Sequence, residues 1–180
     1  LVSSRGLGDV YKRQIIDFHG AKLKENFLYT FDQSDINGVN YYSDPTSAKR
    51  IADLNKFKAI WRDIAERFKD YPESLLFEVF NEPYFWLSAN EISTISSDII
   101  NIVRSSGSNN ESRKIIITGG DTNSWEVIFQ IPNDLINSDP NLIATFHYYQ
   151  PMSFTSSMQE NNNNFNLSQN AKNQITQRFS

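Results

Sequence analysis

Four short apolar runs, each closed by a polar or turn-forming cluster and each separated from the next by a helical pattern, constrain this chain more than any other feature. Ile15 to Phe18 leads into His19-Gly20, Leu75 to Phe80 into Asn81-Glu82-Pro83, Ile115 to Thr118 into Gly119-Gly120, and Leu142 to Phe146 into His147-Tyr148-Tyr149. Near-continuous apolar runs of this length are expected of strands covered on both faces. After the first strand a polar loop runs to about Ser43. From Ile51, Leu54, Phe57, Ile60, Trp61, Ile64, Ala65 and Phe68 recur at three- and four-residue spacing, and Tyr71-Pro72 stops the pattern, which predicts an amphipathic helix. Ser88 with Glu91 three residues on reads as a capping box. Ile92, Ile95, Ile99 and Val103 then mark one face of a second helix, ended by Ser105-Ser106-Gly107. Asp121 to about Ile136 is a poorer helical segment interrupted by Pro132. The expected order is therefore βαβαβαβ.

Strands joined through helices imply right-handed crossovers and a parallel sheet, either doubly wound or closed into a barrel. Glycine usage separates the two. A nucleotide-binding doubly wound sheet places G-x-G-x-x-G or a Walker loop after a strand, and Gly119-Gly120, the nearest candidate among 7 glycines, matches neither. The fold expected is α/β, a (β/α)8 barrel of which this chain carries the middle strands. In such a barrel function gathers at the C-terminal ends of the strands. Those ends carry His19, Asn81, Glu82, Asp121, His147 and Tyr149, and they include both of the chain's histidines. The alternative for each histidine is a hydrogen-bonding role in the rim itself.

Composition excludes several classes. With 180 residues, no Cys and 39% hydrophobic residues, the chain can bury a core without disulfides or cysteine-held metal. Its 17 basic residues are scattered among 21 acidic ones, for a net charge of −4, so no basic face is offered to nucleic acid. No apolar run approaches the roughly 18 residues of a membrane span. A zinc site would need to recruit Asp17 or Asp121 as a third ligand, so no metal or cofactor is expected. No apolar stretch follows Arg5, Lys12 or Arg13, so no signal peptide is read. Residues 1–14 resemble a non-native leader and residues 15–180 a partial catalytic domain. Asn161 to Asn164 is low in complexity, and Ser168 to Ser180 reads as the first turns of a helix.

Glu82 carries the chemistry. It closes an apolar strand, so its carboxyl is expected at the mouth of a low-dielectric barrel, where the neutral acid is favoured and a general acid can operate near neutral pH. The structural alternative is that Glu82 caps the next helix or pairs with a rim cation.

Three strand-end motifs narrow the choice. Ile16-Asp17-Phe18-His19-Gly20, Phe77-Glu78-x-x-Asn81-Glu82-Pro83 and Phe146-His147-Tyr148-Tyr149-x-Pro151, in this order, resemble glycoside hydrolase family 5, the cellulase family, from Ile15 to about Phe154. The resemblance implies that Glu82 is the acid/base and that Asn81 binds the sugar 2-hydroxyl, with His19, His147 and Tyr149 lining the same subsite. Tyr84, Phe85, Trp86 and Trp125 are candidates to stack on sugar rings, or equally to pack the rim loops. Asp17 and Glu78 lie within strands and suit hydrogen bonds inside the barrel. In the family the nucleophile ends the strand after the H-x-Y strand, which is expected beyond Ser180. The early strands and the last strand, which would bring a rim Arg and a subsite Trp, are also not matched here.

The activity implied is retaining hydrolysis of β-1,4-linked glucan. Mannan or xylan cleavage is the alternative within the family, and a non-catalytic glycan-binding relic is the alternative outside enzymes. The resemblance further implies a polysaccharide partner, a monomer when complete, and secretion. Because retaining chemistry needs two carboxyls, the 180-residue chain by itself is expected to show no hydrolysis of carboxymethylcellulose, lichenan or mannan above background, and to aggregate or expose apolar surface. Reducing-sugar assays and light scattering check both, and measurable turnover would overturn the first.

Overall fold

A computed structural model describes residues 13–18, 48–81, 89–119 and 130–149, together with 173 and 176. The chain divides into two compact units, Leu1–Phe146 and His147–Ser180. In the first, β1 (Gln14–Asp17), α1 (Ala48–Phe68), β2 (Leu75–Glu78), α2 (Ala89–Ser105), a 3₁₀ turn (Ser108–Glu111), β3 (Ile115–Ile117), α3 (Asn133–Asn137) and β4 (Leu142–Ala144) follow one another. The four strands form one sheet in the order β1-β2-β3-β4, and every neighbouring pair is parallel.

Most elements sit where the apolar pattern puts them, with shifted ends. β1 begins at Gln14, whose N–H donates to Ser74 O at 2.9 Å. α1 starts before Ile51, which stays exposed, so its buried stripe begins at the half-buried Leu54. β2 ends at Glu78 because the chain bends at Val79. Pro132 does not interrupt a helix: it stands at the N-cap of α3 with φ −61°, where its missing N–H costs nothing. The earlier part of that expected helix, 121–129, lies outside the described residues. α2 ends as expected, on Gly107 at φ +73°, a left-handed conformation that glycine adopts without strain.

The sheet has two unlike faces. Ile16, Leu75, Phe77, Val79, Ile115, Ile117, Leu142 and Ala144 share one cluster with Phe57, Trp61 and Ala65 of α1, with Ile92, Ile95, Ile99 and Val103 of α2, and with Leu135 and Ile136 of α3. The three helices described in this unit therefore cover one face. The alternating residues, Ile15, Asp17, Leu76, Glu78, Ile116 and Ile143, point the other way. A doubly wound sheet carries helices on both faces, whereas a barrel keeps them outside and fills its interior from the second face. Among the described residues the helical cover is one-sided, as in a barrel wall. On the open face Leu76 and Ile116 are buried while Ile15 on β1 and Ile143 on β4 are 52% and 36% exposed, a gradient from the centre of the sheet to its edges.

The N-terminal ends of the strands are tied by one fully buried side chain, Arg113. Its Nε donates to Asn110 Oδ1 at 2.5 Å, Nη1 to the carbonyls of Leu75 (2.6 Å) and Pro72 (3.1 Å), and Nη2 to those of Tyr71 (2.8 Å) and Phe68 (2.9 Å). The guanidinium also lies 4.9 Å from the centre of the Phe77 ring. Burial pushes the guanidinium pKa down, Arg104 adds to that shift, and Glu73 opposes it. The ion remains charged because all five of its N–H groups are bonded, three of them to the carbonyl-rich end of α1 and the turn after it. Asn110, itself buried, donates to Ala65 O at 2.8 Å and extends the junction into α1.

A second ionic link lies nearby. Arg104 of α2 donates through Nε to Asp139 Oδ2 at 2.6 Å and through Nη1 to Asn110 O at 2.6 Å, while Asp139 Oδ1 accepts the Asn141 N–H at 2.8 Å. Burial opposes ionisation of Asp139, but these donors outweigh it and hold its carboxyl below the ordinary 3.8.

Two stability predictions follow from these contacts. Lys at position 113 can donate to only three of the five acceptors, so Arg113→Lys is expected to lower unfolding free energy by about 2–5 kcal/mol in urea titration. A loss below about 1 kcal/mol would show that the carbonyls do not need the guanidinium. Asp139 has a folded pKa below its unfolded one, so its contribution is complete above the unfolded pKa and disappears as pH falls through the folded value. Asp139→Asn should therefore narrow the stability gap between pH 7 and acid. An unchanged pH slope would remove Asp139 from the account.

Candidate functional site

The C-terminal ends of the strands are where a barrel keeps its chemistry. At β2 the backbone does something specific there. Leu75, Phe77 and Val79 alternate into the helix-side core, but Phe80, which strict alternation would send to the other face, is also in that core at 2% exposure. Its ring stacks on Phe57 of α1 at 4.9 Å, and Phe57 meets Phe18 edge-on at 4.7 Å. Two consecutive core residues shift the alternation by one position, as a bulge does, and the next side chain is delivered to the face away from the helices. That residue is Asn81. It is half-buried, and its N–H donates to Phe18 O at 3.3 Å, which fixes the end of β2 against the end of β1.

The neighbouring rim residues fall on the same open face. Asp17 and Glu78 are register partners there; Glu78 is buried, and both are engaged in polar contacts. Both lie inside strands, in keeping with a role in the barrel wall. On β3 the ladder continues past Ile117, whose carbonyl accepts the Thr145 N–H at 2.9 Å, so Thr118 follows Ile116 onto this face. Thr118 is 3% exposed, and its Oγ1 has no hydrogen-bond partner among the described residues.

In the second unit His147 and Tyr149 meet edge-on with ring centres 6.1 Å apart, and Tyr149 is half exposed. The spacing that sequence reading paired thus brings these two rings together. His19, Glu82, Trp86 and Trp125, the other candidates, lie outside the described residues, as do Asp121, Tyr84 and Phe85.

Nothing in the sequence pattern singled out Thr118 or Arg113. The available signals were a hydroxyl ending a run of three isoleucines and a lone cation directly before that strand. Among the described residues no three of His, Asp or Glu gather into a group able to hold a metal, and no helix is long and apolar enough to cross a membrane. Two concavities formed by described residues lie elsewhere. One, about 490 Å³, runs between α1 and α2 beside Glu66 and Ile102, and the other, about 310 Å³, sits at the N-terminal strand ends beside Arg13 and Lys114.

Known proteins share this fold. Residues 10–180 match the family model for Cellulase (glycosyl hydrolase family 5). Endoglucanase H of Acetivibrio thermocellus is 43% identical over 102 residues, which are 57% of this chain and 11% of that protein. Endoglucanase A of Ruminococcus albus is 28% identical over 165 residues, 83% of this chain and 45% of the relative. Among solved structures, an endoglucanase superposes with a TM-score of 0.61 at 32% identity, covering 72% of this chain and 42% of that one. A tri-modular family 5, subfamily 4 endo-β-1,4-glucanase from Bacillus licheniformis, solved with cellotetraose, superposes at 0.62 and 29% identity, covering 75% and 25%. The chain spans less than half the length of each of these proteins.

Proposed function

The chain belongs to glycosyl hydrolase family 5, and from that premise we propose that it is part of the catalytic barrel of a retaining endo-β-1,4-glucanase. The barrel part begins no later than Gln14, the first residue of β1, and the family match reaches back to residue 10. The observation that carries this reading is the end of β2: a core-locked strand whose half-step at Val79-Phe80 presents Asn81 at the rim immediately before Glu82-Pro83.

In this reading Glu82 protonates the departing glycosidic oxygen, and a second carboxylate about 5–5.5 Å away attacks the anomeric carbon to give a glycosyl-enzyme. Glu82 then deprotonates the water that releases the sugar. The second carboxylate is supplied by the strand that follows in the complete barrel. Asn81 donates from its amide to the sugar 2-hydroxyl, an interaction that strengthens as positive charge develops on the ring. By the family resemblance His19, His147 and Tyr149 also contact sugar, and Trp86 and Trp125 supply flat apolar surfaces for neighbouring sugars. The substrate is a soluble or insoluble polysaccharide met outside the cell. Support comes from relatives named endoglucanases and from the cellotetraose held by a structural neighbour.

Glu82→Gln, made in a polypeptide that continues this sequence through the next strand, is expected to lower hydrolysis of carboxymethylcellulose by about 10²- to 10⁴-fold. Formation of the glycosyl-enzyme from an activated aryl cellobioside, whose leaving group needs little protonation, is spared. Intact polymer hydrolysis by the variant would overturn the assignment and favour a glycan-binding protein.

A further inference from the structure

Thr118 holds the most conspicuous polar group that the proposed chemistry does not use. Its hydroxyl is sealed from solvent and has no hydrogen-bond partner among the described residues, at the C-terminal end of β3, after three isoleucines that fill the same strand with hydrocarbon. A buried hydroxyl without a partner costs stability that a methyl group of the same size would not. Valine would fit the strand, yet threonine stands there.

The neighbourhood suggests what the hydroxyl serves. β2 and β3 pair with Phe77 beside Ile115 and Glu78 beside Ile116. Unbroken, that register would set residue 80 beside Thr118; the half-step at Val79-Phe80 gives that place to Asn81, whose N–H bonds Phe18 O as that of residue 80 otherwise would. Phe80 is turned into the helix-side core, which leaves the face away from the helices at that level to Thr118 and Asn81. The two polar side chains thus occupy adjacent strands, the same face and the same level.

We propose that Thr118 is a positioning residue for Asn81: when a sugar occupies the rim, the Thr118 hydroxyl donates to Asn81 Oδ1 and turns the amide N–H groups toward the sugar hydroxyl. Asn and Gln side chains present a donor and an acceptor that a ligand cannot distinguish unless a second group fixes their orientation. A hydroxyl can fix it by donating to the carbonyl oxygen. The inference rests on the glycosidase reading for the ligand, a β-1,4-glucan, and adds to it a residue on a strand to which that reading assigns no role.

The test uses a polypeptide that continues this sequence through the complete barrel, cellotetraose, and the side-chain amide resonances of Asn81 in ¹⁵N-labelled protein, alongside the melting temperature. The unaltered chain is expected to bind, with one Asn81 amide proton shifting on saturation. Thr118→Val is expected to melt at the same temperature or higher, to bind about three- to tenfold more weakly, as loss of one hydrogen bond implies, and to lose that amide shift. Thr118→Ser should restore both. Equal binding by Thr118→Val, or an unchanged Asn81 shift, overturns the proposal and leaves the glycosidase reading standing. A Thr118→Val protein that melts lower than the unaltered chain shows that the hydroxyl serves the fold and likewise overturns it. No cellotetraose binding by the unaltered chain overturns the glucan reading of this site, and the proposal with it.

Discussion

A guanidinium with no water to solvate it must find a partner for every N–H group or cost several kcal/mol, and Arg113 meets that demand with the carbonyls of Phe68, Tyr71, Pro72 and Leu75 and the amide of Asn110. Each of those acceptors has only a narrow range of positions compatible with the ion. The last turn of α1, the entry to β2 and the turn before β3 are thereby set relative to one another. Once they are set, Phe77 beneath the guanidinium and Trp61 across from it (ring centres 5.7 Å apart) can be packed by apolar side chains that have no directional preference of their own. Arg104, bonded to Asn110 O and to Asp139, carries the same constraint to α2 and to the approach to β4. Surface pairs such as Lys58–Asp98, 2.6 Å apart and in contact with solvent, add comparatively little.

The location of this junction matters for function. It lies at the N-terminal ends of the strands, and the candidate site lies at the other ends. Order is imposed from below, by directional bonds, and transmitted upward by parallel strands whose helix-side residues, Gln14 aside, are all hydrocarbon. Rim side chains can then be chosen for their chemistry, because stability does not depend on them. The price is visible where a rim side chain is buried all the same, as at Thr118.

Apolar spacing made the order of elements legible: the stripe from Leu54 to Phe68 and the one from Ile92 to Val103 can be read directly, because a 3.6-residue period has no competing explanation in segments of that length. The choice of a barrel over a doubly wound sheet was legible only indirectly, from absent glycine motifs; its physical basis, helices on one face alone, is a tertiary fact. Strand ends were misplaced by a few residues at β2 and β4 because Val79, Phe80 and Phe146 are as apolar as the residues within the ladder. Pro132 looked like an interruption because a proline at a helix start and one inside a helix differ by context that no local pattern contains. The junction at Arg113 was not legible, since its acceptors are backbone carbonyls, which every sequence possesses. At the site, Asn81 and the His147–Tyr149 pair were named from strand-end position and from motif, whereas Thr118 gave no signal apart from its burial.

The half-step at Val79-Phe80 has a consequence for how this strand can vary. Below it, odd-numbered residues belong to the helix layer; above it, the assignment is reversed, so the aromatic stack of Phe57 and Phe80 and the amide of Asn81 depend on the same count of residues. Losing or gaining a single residue between Glu78 and Asn81 would exchange their destinations, sending the amide into hydrocarbon and a phenyl ring to the rim. Substitution in this stretch is graded in its effects, but a change of length is all-or-none. A lineage carrying this strand can therefore explore side chains freely while its length there stays frozen.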